Sequence, residues 1–320
     1  MEQLELVVRQ RRQIAESVVE LTLGAADGGA LPSWSPGAHV DLVLAEAEDG
    51  RTPLVRQYSL CGPEASDRWR IAVLLEPGGR GGSRFVHERL EPGTRLRARG
   101  PRNLFPLTES RRAILLAGGI GITPLLPMAR RLARTGADWR LVYGGRSRAA
   151  MAYLGELAAY GERVRIVAQD EQGLPDLGSL LGRPLPDTAV YCCGPAGLIA
   201  EAERLCRSWP AGALRCERFQ PEIGSGVPAG PDSGFEVELA RSGRRLTVPA
   251  GRSVLEVLQA AGVAVLSSCA EGTCGTCETR VLDGEPEHRD EVLGEAERAD
   301  GKTMMVCVSR SRGPRLVLDL

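Results

Sequence analysis

The chain has 320 residues, 43% of them hydrophobic, enough for more than one buried core, so two or three domains are expected. Its 40 Lys and Arg nearly cancel 41 Asp and Glu, and the two signs are mixed along the chain, which argues against nucleic acid as a partner. No apolar run is long enough to span a bilayer, and the acidic, alternating start Met1-Glu-Gln-Leu-Glu-Leu is unlike an export signal, so a cytoplasmic protein without membrane attachment is expected.

Residues 1–107 read as β-rich. Segments 4–8, 17–23, 39–44 and 70–75 alternate or run apolar between Gly- and Pro-rich turns, and 95–99 alternates as well. Short strands at this spacing predict a closed antiparallel barrel. Arg56-Gln57-Tyr58-Ser59-Leu60 closes one strand, and Gly79-Arg80-Gly81-Gly82-Ser83-Arg84-Phe85 opens a short helix. Arg56 can hold a phosphate bidentately or be a surface charge. Tyr58 can lie against an aromatic ring or fill the core. Gly81, Gly82 and Ser83 offer backbone N–H groups and a hydroxyl to an anion.

Residues 108–220 alternate strands (113–117, 140–144, 164–168, 188–193) with helices (125–134, 149–160, 196–207), the pattern of a parallel sheet with helical crossovers. Gly118-Gly119-Ile120-Gly121-Ile122-Thr123-Pro124 joins a buried strand to a helix. Glycines there let the backbone approach a pyrophosphate, and Pro124 suits the first helical position. The third glycine of the usual dinucleotide fingerprint is absent, so a mere tight turn is the alternative. Cys193-Gly194-Pro195 follows a later strand at the same edge. Arg146, Ser147 and Arg148 follow the 140–144 strand, about where an adenosine ribose is read; two arginines there suit a 2′-phosphate as well as they suit a plain ribose.

Residues 221–234, rich in Pro and Gly, form a linker by composition. Residues 235–320 open with a hairpin around Ser242-Gly243, then a helix over 253–261, then Cys269-Ala270-Glu271-Gly272-Thr273-Cys274-Gly275-Thr276-Cys277. A polar segment, 289–298, precedes a strand that delivers Cys307. Three thiolates in one tight loop and a fourth from elsewhere is the plant-type spacing for a [2Fe–2S] cluster. Gly272 and Gly275 permit φ > 0, and small Ala270, Thr273 and Thr276 let amide N–H groups reach the sulfides. Zinc is the rival, but zinc loops pair two Cys-x₂-Cys knuckles and only one is present. Of nine cysteines, Cys61, Cys192, Cys193, Cys206 and Cys216 remain and read as small, mostly buried residues. The three histidines (His39, His87 and His288) form no acid–base constellation, which suits electron transfer and leaves no catalytic residue to assign. His288 reads as a solvated surface residue, with an interface role as the alternative.

Taken together, Arg56–Leu60, the Gly79–Ser83 turn, Ala117–Pro124, Tyr191–Pro195, the cysteine loop and Met305-Val306-Cys307-Val308-Ser309-Arg310 resemble the phthalate dioxygenase reductase family, vanillate demethylase reductase included, over essentially the whole chain. The resemblance implies an antiparallel β-barrel flavin domain, an α/β parallel-sheet nicotinamide domain and an α+β plant-type ferredoxin (β-grasp) domain, in that order. It implies FMN instead of FAD, and NADH in preference to NADPH. Arg56, Gln57, Tyr58 and Ser59, with Ala72, Val73 and Leu74, would line the flavin, whose phosphate Gly81, Gly82 and Ser83 would hold with Arg56. Gly118, Gly119, Gly121, Arg146, Gly194 and Pro195 would serve the nucleotide. Thr123 and Cys193 would lie near the nicotinamide, and Phe219 near the flavin. Leu74 departs from the family, which has a basic residue there; a backbone contact leaves the reading intact. The implied activity is hydride transfer from nicotinamide C4 to flavin N5, then single-electron steps to a cluster on Cys269, Cys274, Cys277 and Cys307. A Rieske-type aromatic oxygenase or demethylase would be the acceptor and the reductase a monomer. A reductase for a cytochrome P450 or another oxygenase, and a redox-sensing or zinc-stapled nucleotide-binding protein, are the other readings.

Overall fold

A computed structural model describes residues 3–45, 54–79, 81–219, 233–267, 269–270, 272–290 and 292–320. It separates into two compact units, Met1–Leu44 with Gln57–Phe219, and Ala45–Arg56 with Gln220–Leu320.

The chain begins with β1 (Gln3–Ala15), β2 (Val18–Ala25), β3 (His39–Ala45), β4 (Leu54–Ser59), β5 (Trp69–Leu74), helix α1 (Gly82–Arg89) and β6 (Arg95–Arg102). The strands form one antiparallel sheet in the order β4-β3-β6-β1-β2-β5. Its edges are β4 and β5, yet the sheet curls until the chain just past β4 meets β5, where Cys61 N–H donates to Arg70 O at 2.8 Å. The expected barrel therefore closes through the segment after β4, without a β4–β5 ladder.

Next come β7 (Arg112–Gly118), α2 (Ile122–Thr135), β8 (Asp138–Gly145), α3 (Leu154–Leu157), β9 (Val164–Ala168), α4 (Gln169–Gln172), α5 (Gly178–Leu181), β10 (Thr188–Cys193), α6 (Ala196–Leu205) and β11 (Leu214–Glu217). These strands form a parallel sheet ordered β11-β10-β7-β8-β9. Both faces are covered, so β10 is buried throughout: Ala189, Tyr191 and Cys193 pack into one layer, Val190 and Cys192 into the other. A 3₁₀ turn at Gly119–Gly121 leads straight into α2, which starts three residues earlier than the sequence pattern predicts and places Pro124 third in the helix, not first. The helix expected over 149–160 is reduced to one α-turn between 3₁₀ turns, because Tyr153 (φ 64°) and Gly161 (φ 54°) leave helical backbone. The helix expected over 196–207 gives way to a 3₁₀ turn at Cys206–Ser208.

The C-terminal unit contains β12 (Phe235–Leu239), β13 (Arg244–Val248), α7 (Val254–Ala260), β14 (Glu278–Asp283), β15 (Pro286–Glu287), α8 (Glu295–Asp300), β16 (Thr303–Met305), β17 (Arg310–Ser311) and β18 (Arg315–Leu318). Its sheet runs β13-β12-β18-β14-β16 with β12 and β18 parallel, the β-grasp arrangement expected. Helix α7 is fixed at its start by a capping box, Ser253 Oγ accepting from Glu256 N–H while the Glu256 carboxylate accepts from Ser253 N–H. Its buried Val254, Leu255, Val257 and Leu258 join Val237, Leu316 and Met305 in a separate core. Most of the expected linker lies outside the described residues; where the chain re-enters at Ser233, its carbonyl receives Arg310 Nη2 at 3.1 Å. No helix among the described residues is long and apolar enough to cross a membrane.

Candidate functional site

At the carboxyl edge of the parallel sheet, the ends of β7 and β10 touch backbone to backbone. A Cβ on Gly121 would lie 2.2 Å from the Cys193 carbonyl oxygen, and one on Gly194 2.9 Å from Gly118 Cα. On Gly118 it would meet Pro195 Cδ at 2.6 Å. These glycines are demanded by strand-end packing, a different cause from the pyrophosphate approach the sequence suggests. Gly119 differs: its φ is +54° and nothing lies within 4 Å of its missing Cβ, so the backbone is open on this face. The buried Thr123 hydroxyl donates to Ile120 O at 2.9 Å. Cys193 is fully buried; burial first, then Glu217 and Cys216, push its thiol well above the usual range and keep it neutral.

Glu217, which nothing in the sequence singles out, pairs in register with Cys193 at the end of β11. Part of the residue is exposed, but Oε2 is enclosed without a hydrogen-bond partner, and burial raises its pKa to about 8. The signal available was its place two residues before Phe219, which is 48% exposed at the end of this unit.

A cavity of about 50 Å³ opens between Val18 and Leu74 of the antiparallel sheet and Gly119, Ile120, Gly145, Arg146, Ala150 and Ala152 of the parallel-sheet half. It brings three of the expected residues together (Leu74, Gly119 and Arg146) and adds Val18, Ile120 and Gly145, which the sequence reading passes over. Arg146 is exposed and its side chain has no hydrogen bond or ion pair among the described residues. Arg148 is committed instead to Glu171, with Nε 3.0 and 3.2 Å from the two carboxylate oxygens.

On the antiparallel sheet, Gln57 Nε2 donates to Oδ1 of buried Asp41 at 2.8 Å, whose Oδ2 takes Arg102 at 2.5 Å. Tyr58 keeps part of its surface open, so it is no core residue, whereas Ser59, Ala72 and Val73 are buried. Arg56 Nη1 donates to Val55 O at 2.7 Å. Gly81, at φ 80°, caps α1, whose first turn carries no acid; Gly82 is buried, and Ser83 Oγ accepts from Glu76 N–H at 3.0 Å. Arg80 lies outside the described residues. An anion at this helix start meets backbone N–H groups and no acidic side chain from the first turn.

In the C-terminal unit, Cys269, Cys274, Cys277 and Cys307 are all buried. Cys307 shares hydrogen bonds with Cys269 and Cys277, and Cys274 with Cys269; these bonds, then burial, push the Cys307 and Cys274 thiols up. The loop has the expected left-handed glycines, Gly272 at φ 74° and Gly275 at 75°, and a third such residue, Ala270 at 63°. Cys307 sits in the turn after β16, not in the strand. Four converging sulfur donors fit an iron–sulfur cluster. His288 is not solvated as expected: its side chain is 7% exposed, with Nδ1 3.8 Å from Asp290 Oδ1. Of the remaining cysteines, only Cys216 is not buried.

Residues 237–312 match the family described as the 2Fe-2S iron-sulfur cluster binding domain, which displaces the zinc reading. A putative toluene-4-sulfonate monooxygenase system reductase subunit of Comamonas testosteroni is 45% identical over 97% of this chain and 96% of its own. Vanillate O-demethylase oxidoreductase of Pseudomonas putida is 41% identical over 99% of this chain and 100% of its own. Among solved structures, phthalate dioxygenase reductase shares 36% identity and a TM-score of 0.70, over 99% of this chain and 98% of that one. An intact type IV self-sufficient cytochrome P450 monooxygenase shares 41% identity and a TM-score of 0.85 over 99% of this chain, which spans 41% of that protein.

Proposed function

The chain belongs to the phthalate dioxygenase reductase family, and we propose that it is the reductase component of a Rieske-type aromatic oxygenase or demethylase, drawing on NADH. It is an oxidoreductase with a flavin domain, a parallel-sheet domain and a [2Fe–2S] domain. We divide it at 1–107, 108–220, a 221–234 linker and 235–320, and place it in the cytoplasm. One observation carries the reading: a single chain combines an open glycine-edged cleft with four converging thiols.

When bound, flavin and cluster supply the conversion of a two-electron hydride donor into single-electron steps. The chain's residues position and insulate these groups. Gly119 leaves the sheet edge open to the nucleotide, while Val18, Leu74 and Ile120 supply apolar lining to the cavity. Gly81, Gly82 and Ser83, with Arg56, would hold one phosphate, which supports FMN; acid-released flavin that chromatographs as FAD would contradict it. Glu171 occupies Arg148 and so removes one of the two arginines a 2′-phosphate could use, while the preference for NADH rests on the family. A higher kcat/KM with NADPH overturns that preference. Cys269, Cys274, Cys277 and Cys307 would hold the cluster.

The function is tested by cutting the chain near Ser225. The fragment keeps its own cores and should still reduce ferricyanide with NADH, since that acceptor takes electrons directly from flavin. It should fail to sustain turnover of the cognate oxygenase. Normal oxygenase turnover by the fragment would mean that electrons leave without the cysteine-bound group. A second acceptor, a cytochrome P450, is favoured by the likeness to the self-sufficient monooxygenase; reduction of a P450 at the expense of the Rieske protein would select it.

A further inference from the structure

Three charged side chains bridge the two sheets of the N-terminal unit. The Glu156 carboxylate, on α3, receives Arg70 from β5 (Nη1 to Oε1, 3.0 Å) and Arg130 from α2. Arg130 Nη1 also donates to the carbonyls of Cys61 and Gly62, at 2.7 and 2.9 Å, in the segment that closes the antiparallel sheet. Arg70 Nη2 reaches the same Cys61 carbonyl at 3.1 Å, and its guanidinium lies 5.2 Å from the Tyr153 ring centroid. The Tyr153 hydroxyl in turn lies 3.1 Å from Cys61 Sγ.

The elements so joined continue from residues that line the cleft. Arg70 is four residues from Leu74 on the same strand; α2, which carries Arg130, springs from the Gly119–Gly121 turn; Glu156 follows Ala152. We propose that Glu156 is a positioning residue for hydride transfer: by holding Arg70 and Arg130 together it sets the separation of Leu74 from Gly119 and Ile120, where nicotinamide and flavin have to meet. This rests on the reductase reading. Its logic is geometric: an error of about 1 Å between reacting groups can cost on the order of 100-fold in rate, while binding contacts elsewhere on the nucleotide remain intact. Glu156 is 37% exposed, so its replacement opens no core cavity.

The test is Glu156→Gln in the full chain. Amide hydrogen exchange on the flavin-free protein reads the clamp itself: exchange across residues 57–75 and 122–135 should accelerate while β9 and the C-terminal unit stay as in wild type. An unchanged pattern overturns the proposal whether or not NADH reduces the flavin, so its failure is distinct from failure of the reductase reading. With flavin bound, the limiting rate of flavin reduction at saturating NADH should fall at least ~10-fold, with NAD⁺ affinity moving less than about threefold. A lower Tm with the wild-type limiting rate would make Glu156 merely structural and end the proposal. Should the Gln variant lose flavin, Glu156→Asp, which keeps the charge and retracts it by one methylene, carries the test: a slowed limiting rate supports positioning, a wild-type rate contradicts it.

Discussion

Glu217 ends β11 opposite Cys193 with Oε2 enclosed, and burial lifts its pKa from an ordinary 4.5 to about 8. The folded chain therefore holds a proton that the unfolded chain releases above about pH 4.5, so this group's contribution to stability falls as pH rises from about 4.5 to about 8. Glu217→Gln, which stays neutral, should match wild type near pH 4.5 and exceed it by about 1–3 kcal/mol at pH 8 in denaturant titrations. A constant difference across that range would contradict the assigned burial. No sequence pattern announces such a residue, because its environment is made by β10, a strand it meets only in the fold. Gly121 is the reverse case: its motif was legible, but the reason for it was not, since the Cys193 carbonyl that excludes a Cβ lies 72 positions along the chain.

Elements were legible where burial imposes a regular pattern. The largely apolar strands β9 and β10 fall where expected, as does the Ser253-capped helix α7. Short β11, Leu-Arg-Cys-Glu, alternates over only four residues, too few to mark a strand in sequence, and is fixed as one by parallel pairing with β10. The cysteine loop was the most legible element, since φ > 0 glycines and ligand spacing are local requirements. Gly272 carries a second constraint: a Cβ there would lie 2.6 Å from Val308 Cγ2, beside Cys307, and 3.0 Å from Asp290 Cα. Gly272→Ala should displace the fourth thiol and weaken cluster retention ~10-fold, read as iron and acid-labile sulfide per chain. Gly243→Ala, equally left-handed at φ +66° but in open space, should retain the cluster. Full cluster content in Gly272→Ala would remove the packing argument.

For the molecule as a whole, the order of domains was readable from where period-2 strands give way to strand–helix alternation and then to the cysteine spacing. The ionic bridge at Glu156 was not, because Arg70, Arg130 and Glu156 are ordinary surface charges in sequence and converge only when two sheets pack. The same bridge supplies a pH dependence: burial opposes ionisation, yet hydrogen bonds from Arg130 and Arg70 hold the Glu156 carboxyl below its usual range. Its stabilisation is present above the ordinary carboxylate pKa and is lost as pH falls through the lowered one. In the proposed route, electrons entering from NADH reach the group held by Cys269, Cys274, Cys277 and Cys307 within one chain. Low-temperature electron paramagnetic resonance of the anaerobic full-length protein, frozen after NADH addition, addresses it directly. The signal of a reduced [2Fe–2S] cluster is expected; bleached flavin beside a cluster that stays oxidised and silent would contradict the route.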